Sequence, residues 1–122
     1  MKKSKTIVYS CSGCSTAAQI ANYVAIQLDR KDIAEMSCIA GVGGGVKSLV
    51  QKAKLAENII ALDGCPLNCV QQCLAKHGLK PNIHLVLTEM GVKKLQHEDF
   101  DKGQAEEILN QTISLIGNSK PE

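Results

Sequence analysis

Six cysteines carry the chemistry open to this sequence, and their spacing sorts them into three groups. Cys11 and Cys14 form the Cys-x-x-Cys of "CSGC", Cys38 stands alone, and Cys65, Cys69 and Cys73 recur at four-residue steps in "DGCPLNCVQQC". Two intervening residues let both sulfurs of a Cys-x-x-Cys face one point, which serves zinc sites and dithiol redox centres alike. Steps of four place side chains on one face of a helix. Pro66 suits a first helical position, so Cys65 is the expected N-cap, with its sulfur at the positive helix end that favours the metal-binding thiolate. Cys69 is one turn away and can join Cys65 at one ion. Cys73 lies two turns along; it is the weakest ligand of that ion and also reads as a small buried residue packing the helix on a sheet.

Two other features ask for a function. From Gly41 to Ser48 the chain matches the phosphate-binding pattern G-x-x-x-x-G-K-[ST] except at Val46, where a Cβ would obstruct the backbone approach to a phosphate. Asp63 closes an apolar run as the acid of a nucleotide-binding strand would. The more economical reading of the glycines is a flexible turn beside the cysteines, with Lys47 near a thiol. Among the histidines, His84 reads as a packed or edge residue inside a strand and His77 as a helix C-cap. His97, with Glu98 and Asp99, lies in a loop able to cover the cysteines.

The elements that must position these residues alternate regularly. Thr6–Ser10 reads as a strand, followed by a helix with Ala17, Ala21, Val24 and Leu28 on its apolar face and Thr16 and Gln19 as a capping box. Ile33–Ile39 reads as a second strand, and Val46, Leu49, Val50 and Ala53 as the stripe of a second helix. Asn58–Leu62 is a third strand, a helix opening at Pro66 and ending near Gly78 follows, and Ile83–Leu87 is a fourth strand. A last helix opens at Asp101 and Gln104 and ends at Gly117. The pattern predicts an α/β fold, a small three-layer sandwich with a mainly parallel four-stranded sheet of the Rossmann or flavodoxin type, in the order 2-1-3-4. Cys11, Cys38 and Cys65 then follow three different strands and meet at the carboxyl end of the sheet, where open α/β sheets bind ligands.

Composition bounds the alternatives. The 122 residues fit one domain, with residues 1–5 and 118–122 as flexible tails, and 44% apolar residues with one Phe, two Tyr and no Trp require an aliphatic core. Fourteen basic and twelve acidic residues are interspersed, which predicts neither a nucleic-acid nor a membrane partner. The start of the chain lacks the apolar run of roughly 7–15 residues of a secretory signal. A cytoplasmic location is expected, where clustered thiols stay reduced and serve metal or redox chemistry.

"SCSGCSTAAQIAN", "MSCIAGVGG", "LDGCPLNC", "HGLKPNIHLVLTEMGVKK" and "HEDFD" together resemble the bacterial DGC-domain proteins, named for an Asp-Gly-Cys such as Asp63-Gly64-Cys65 and described as zinc-binding. The resemblance spans Ser10 to beyond Asp101. It implies a small cytosolic protein with zinc on Cys11, Cys38, Cys65 and Cys69, as carrier, sensor or structural site. Cys14 and Cys73 exceed that set and leave room for a second metal, an iron–sulfur cluster or a redox pair. A thiol-redox or iron–sulfur protein, with Cys11 attacking and Cys14 resolving, is the alternative, and phosphate or nucleotide binding at Gly41–Ser48 a minor one. Thioredoxin-like or metal-trafficking proteins are the partners such a site would meet.

Overall fold

A computed structural model describes residues 6–119. Four strands, β1 (Thr6–Ser10), β2 (Glu35–Met36), β3 (Asn58–Asp63) and β4 (Ile83–Val86), form one parallel sheet in the order β2-β1-β3-β4. Among the described residues five α-helices and a 3-10 turn at Leu87–Met90 accompany them: α1 (Thr16–Arg30), α2 (Ile39–Gly43), α3 (Lys47–Leu55), α4 (Cys69–Ala75) and α5 (Lys102–Ser119). The α/β class, the parallel sheet and the strand order agree with the sequence reading.

Strand alternation splits the core into two. Val8, Ile60 and Leu62 pack with α1 and α5 residues such as Ile20, Val24, Leu28, Ile108 and Leu109. Ile7, Tyr9, Ile59 and Ala61 face Val42, Ala53, Val70 and Leu74 of α2, α3 and α4. A sheet covered on both faces needs apolar residues at successive positions, which explains the unbroken runs "IVY" and "IIAL". No helix among the described residues is long and apolar enough to cross a membrane.

Several boundaries differ from the sequence reading, with β3 running one residue further, to Asp63, and β4 stopping one residue sooner, at Val86. The second strand has two residues rather than seven, and Ile39 opens a helix through the glycine segment. The cap of α1 is Ser15, whose Oγ accepts Ala18 N–H at 3.1 Å; Thr16 holds a distant loop instead. Helix α4 starts at Cys69, not Pro66. Helix α5 runs past Gly117, so residues 118 and 119 are helical, while residues 1–5 and 120–122 lie outside the described residues. Asp101 does cap α5, its Oδ2 accepting Gln104 N–H at 2.7 Å.

Candidate functional site

Strand order reverses between β1 and β3, and the loops leaving these two strands carry "CSGC" and "DGCPLNC". The two loops are joined through sulfur. Gly64 N–H donates to Cys11 Sγ at 3.2 Å, and Cys11 N–H donates to Leu62 O at 3.3 Å, so the first thiol is seated on the end of β3 directly before Cys65. Gly64 permits this approach because α1 begins against it: a Cβ there would lie 2.7 Å from Ala18 N and 2.8 Å from Ala17 C.

Cys65 is not a helix cap. It opens the turn Cys65-Pro66-Leu67-Asn68, closed by Asn68 N–H donating to Cys65 O at 3.1 Å, with Pro66 in the position where its fixed φ suits a turn. Its sulfur meets a cation from elsewhere, Lys94 Nζ, at 3.3 Å. Lys94 belongs to a strap over the amino end of α1. Thr16 N–H donates to Leu95 O, Leu95 N–H to Thr16 Oγ1, and Thr16 Oγ1 to Lys93 O, all within 2.9 Å. Gln19 fixes the rest of the strap, donating to Glu98 O and accepting Phe100 N–H. His97, Glu98, Asp99 and Gln96 of the strap line an open pocket with Gln19 and Cys14, so the loop lies beside this one cysteine and leaves it exposed.

Asp63 is engaged by the protein itself. The carboxylate is 1% exposed; Oδ1 accepts Val70 N–H at 2.7 Å, and Oδ2 accepts Gln71 N–H at 3.3 Å and His84 Nε2–H at 2.8 Å. It therefore caps α4 from six residues upstream of Cys69, in place of Asn68, whose side chain makes no cap bond. This is a structural task and leaves no lone acid for a nucleotide-bound metal. The glycine segment likewise departs from a phosphate loop. Gly41 and Gly43 are helical, packed where a Cβ would come within 2.0 Å of Leu49 and 2.7 Å of Cys73 Sγ. Lys47 lines a separate groove with Lys54 and His77, and it is Lys94 that reaches a sulfur.

The remaining thiols sit along two adjacent helices. Cys38 caps α2, its Sγ accepting Gly41 N–H at 3.4 Å. The carboxyl ends of α2 and α4 are tied by His77 Nε2–H donating to Val42 O and Lys76 Nζ to Gly43 O. Cys38 at the amino end of α2 and Cys69 at the amino end of α4 are both exposed, and half-buried Cys73 lies one turn below Cys69 against Gly43. Burial pushes the Cys73 thiol up, with Cys69 and Asp63 adding to the rise. All six cysteines are free thiols, and among the described residues no three Cys, His, Asp or Glu side chains are already arranged to hold a metal ion.

Cys11 is the most perturbed of them. Burial pushes its thiol from 9.0 up to about 11, against the Gly64 N–H, with Asp63 and Cys69 adding to the rise. Burial thus disfavours the Cys11 thiolate in the metal-free protein. The same shift gives a stability prediction. A thiol raised in the folded state ionises first in the unfolded chain, so its contribution is intact below pH 9.0 and is lost as pH rises through about 11. Urea unfolding of the metal-free protein across that interval should show a steeper loss for wild type than for Cys11→Ala; parallel losses would refute the assignment.

Lys94, His84, Thr88 and Asn68 are the site neighbours that sequence reasoning missed. Thr88 N–H donates to Gly64 O at 3.1 Å, and the side-chain oxygens of Thr88 and Asn68 are buried with no hydrogen-bond partner among the described residues. Spacing does not announce the contacts of Lys94, His84 and Thr88, which come from segments remote in sequence.

The family profile of the DGC domain matches residues 7–112. The anaerobic and virulence modulator AnvM of Pseudomonas aeruginosa is 55% identical over 110 residues, an alignment that covers 90% of this chain and 84% of that protein. No solved structure matches. With the Asp-Gly-Cys turn at the switch point and the match running through nearly every element, the chain belongs to the DGC domain family.

Proposed function

We propose that the protein is a zinc-binding module whose ion is held by the thiolates of Cys11, Cys38, Cys65 and Cys69, with a sensing or regulatory role. The observation that supports the reading is the Gly64 N–H bond to Cys11 Sγ, which seats that sulfur beside the residue preceding Cys65 at the switch of strand order. The residues fit zinc in kind: backbone N–H groups of Gly64 and Gly41 already donate to two of the sulfurs, the outer-sphere support that thiolate ligands use. Two orphaned oxygens, on Asn68 and Thr88, mark the same turn as a place suited to a polar guest. Closure on an ion requires side-chain rotation at Cys38, Cys65 and Cys69, and Lys94 must leave the Cys65 sulfur. Bound zinc would supply a closed thiolate shell with no position for a substrate water, which favours sensing or structure over hydrolysis. The relative's name, a modulator, points the same way.

Zinc analysis of the native protein should give about one ion per chain with tetrahedral thiolate ligation. Cys11→Ser and Cys65→Ser should each weaken binding by more than the roughly 10–100-fold of a lost outer-sphere partner. Each ligand thiol must lose its proton, Cys11 from about 11, so uptake should release protons and affinity should fall in acid. A native protein without zinc, or affinity unchanged by both substitutions, would end the reading; a brown sample would transfer these cysteines to an iron–sulfur cluster.

A further inference from the structure

Helix α4 carries Cys69 and Cys73 yet has little of its own to stand on. It is seven residues long, and isolated helices shorter than about 12–15 residues are marginal in water. Its N-cap, Asn68, is in the left-handed region at φ 55 and contributes no side-chain bond. The first-turn amides of a helix have no intrahelical acceptor, and here Val70 and Gln71 find theirs on Asp63. The start of the helix thus depends on where that carboxylate points.

A buried carboxylate keeps one orientation only if its oxygens are satisfied. The residue that completes them comes from the edge strand. In the β3–β4 register His84 pairs with Ala61, and by strand alternation Ala61 and Asp63 face the α2–α4 side, so the imidazole lies along the row that ends in Asp63. We propose that His84 is a positioning residue for the α4 thiols: by donating to Asp63 Oδ2 it holds the carboxylate over the first turn of α4 and thereby fixes where Cys69 and Cys73 stand. The inference concerns thiols that share the pole of the zinc reading, and it is tested without metal, so the two fail separately.

In metal-free protein, pulsed alkylation followed by mass spectrometry reads each cysteine, with exposed Cys14 on a different loop as internal reference. His84→Ala should raise the Cys73 rate about tenfold relative to Cys14, the opening expected when a hydrogen bond to a charged group is lost. Hydrogen exchange at the Val70 amide should accelerate by a similar factor. His84→Gln, which keeps an N–H donor, should stay within about twofold of wild type. A general loss of packing would move His84→Gln as far as His84→Ala, and that result overturns the proposal, as does a Cys73 rate unchanged in His84→Ala. Should His84→Ala fail to fold, His84→Phe, which keeps a ring but no N–H donor, decides instead: Cys73 and Val70 rates raised about tenfold support the proposal, and rates within about twofold of wild type overturn it.

Discussion

Asp63→Ala is expected to lower the unfolding free energy by about 3 kcal/mol, because it strands buried donors at roughly 1–3 kcal/mol each. Val70 N–H lies behind a fully buried residue, and the Gln71 N–H and His84 Nε2–H bonds go with it. Water cannot easily replace an acceptor that is itself 1% exposed. Asp63→Asn keeps the shape and one acceptor oxygen but turns an amide group toward a second set of donors, so its loss should be about half as large. Urea denaturation followed by far-ultraviolet circular dichroism measures both. Equal stability of all three proteins would mean that the carboxylate does not cap α4. The Asp of the Asp-Gly-Cys turn is thus expected to reveal itself first in folding and only through folding in the behaviour of the thiols.

Much of the fold was legible because it is written in periodicity. The runs at Thr6–Ser10 and Asn58–Asp63 are apolar at consecutive positions, as strands buried on both faces must be, and α1 and α5 show the apolar recurrence of amphipathic helices. Helix α2 was hidden because glycine disfavours helix locally; the segment is helical since Gly41 and Gly43 let Leu49 and Cys73 pack where a Cβ would collide. Tertiary contact overrode propensity there. The same holds at α4, where Pro66 looks like a first helical residue but serves a turn, and the true start, Cys69, is set by an acid six residues earlier.

The candidate site was legible at the level of topology. What the structure bears out is the meeting of two loops: strand order 2-1-3-4 puts the ends of β1 and β3 side by side, so Cys11 and Cys65 leave neighbouring strands. Spacing could not tell that Cys11 is half-buried, with its thiol pushed up by burial, while Cys14, three residues on, is exposed beside a pocket. Nor could it identify Lys94 as the cation at Cys65, since a strap anchored through Thr16 and Gln19 delivers it from twenty-nine residues away. Both depend on how closely segments approach, and that is decided by the small residue at their crossing.

Gly64→Ala tests that crossing, and it should cost about 3 kcal/mol, the upper end of overpacking penalties. The new Cβ would stand 2.7–2.9 Å from Ala18 N, Ala17 C and Ala18 Cα, backbone atoms of a helix that no rotamer change can move aside. Conformation is not the obstacle, because the only positive-φ glycines are Gly45, Gly78 and Gly91 among the described residues. At an unstrained, open position the same change is favourable: Gly117→Ala, helical and with nothing within 4 Å, should stabilise by up to about 1 kcal/mol. The opposite signs of two chemically identical substitutions isolate the steric term. Relief of the clash at position 64 must separate the end of β3 from α1, and this withdraws the N–H that Cys11 Sγ accepts at 3.2 Å. Cys11 should then alkylate faster in Gly64→Ala than in wild type while Cys14 does not change. If Gly64→Ala proved as stable as wild type with Cys11 still protected, α1 would not be clamped on the Asp-Gly-Cys turn, and the meeting of the two cysteine loops would need another cause.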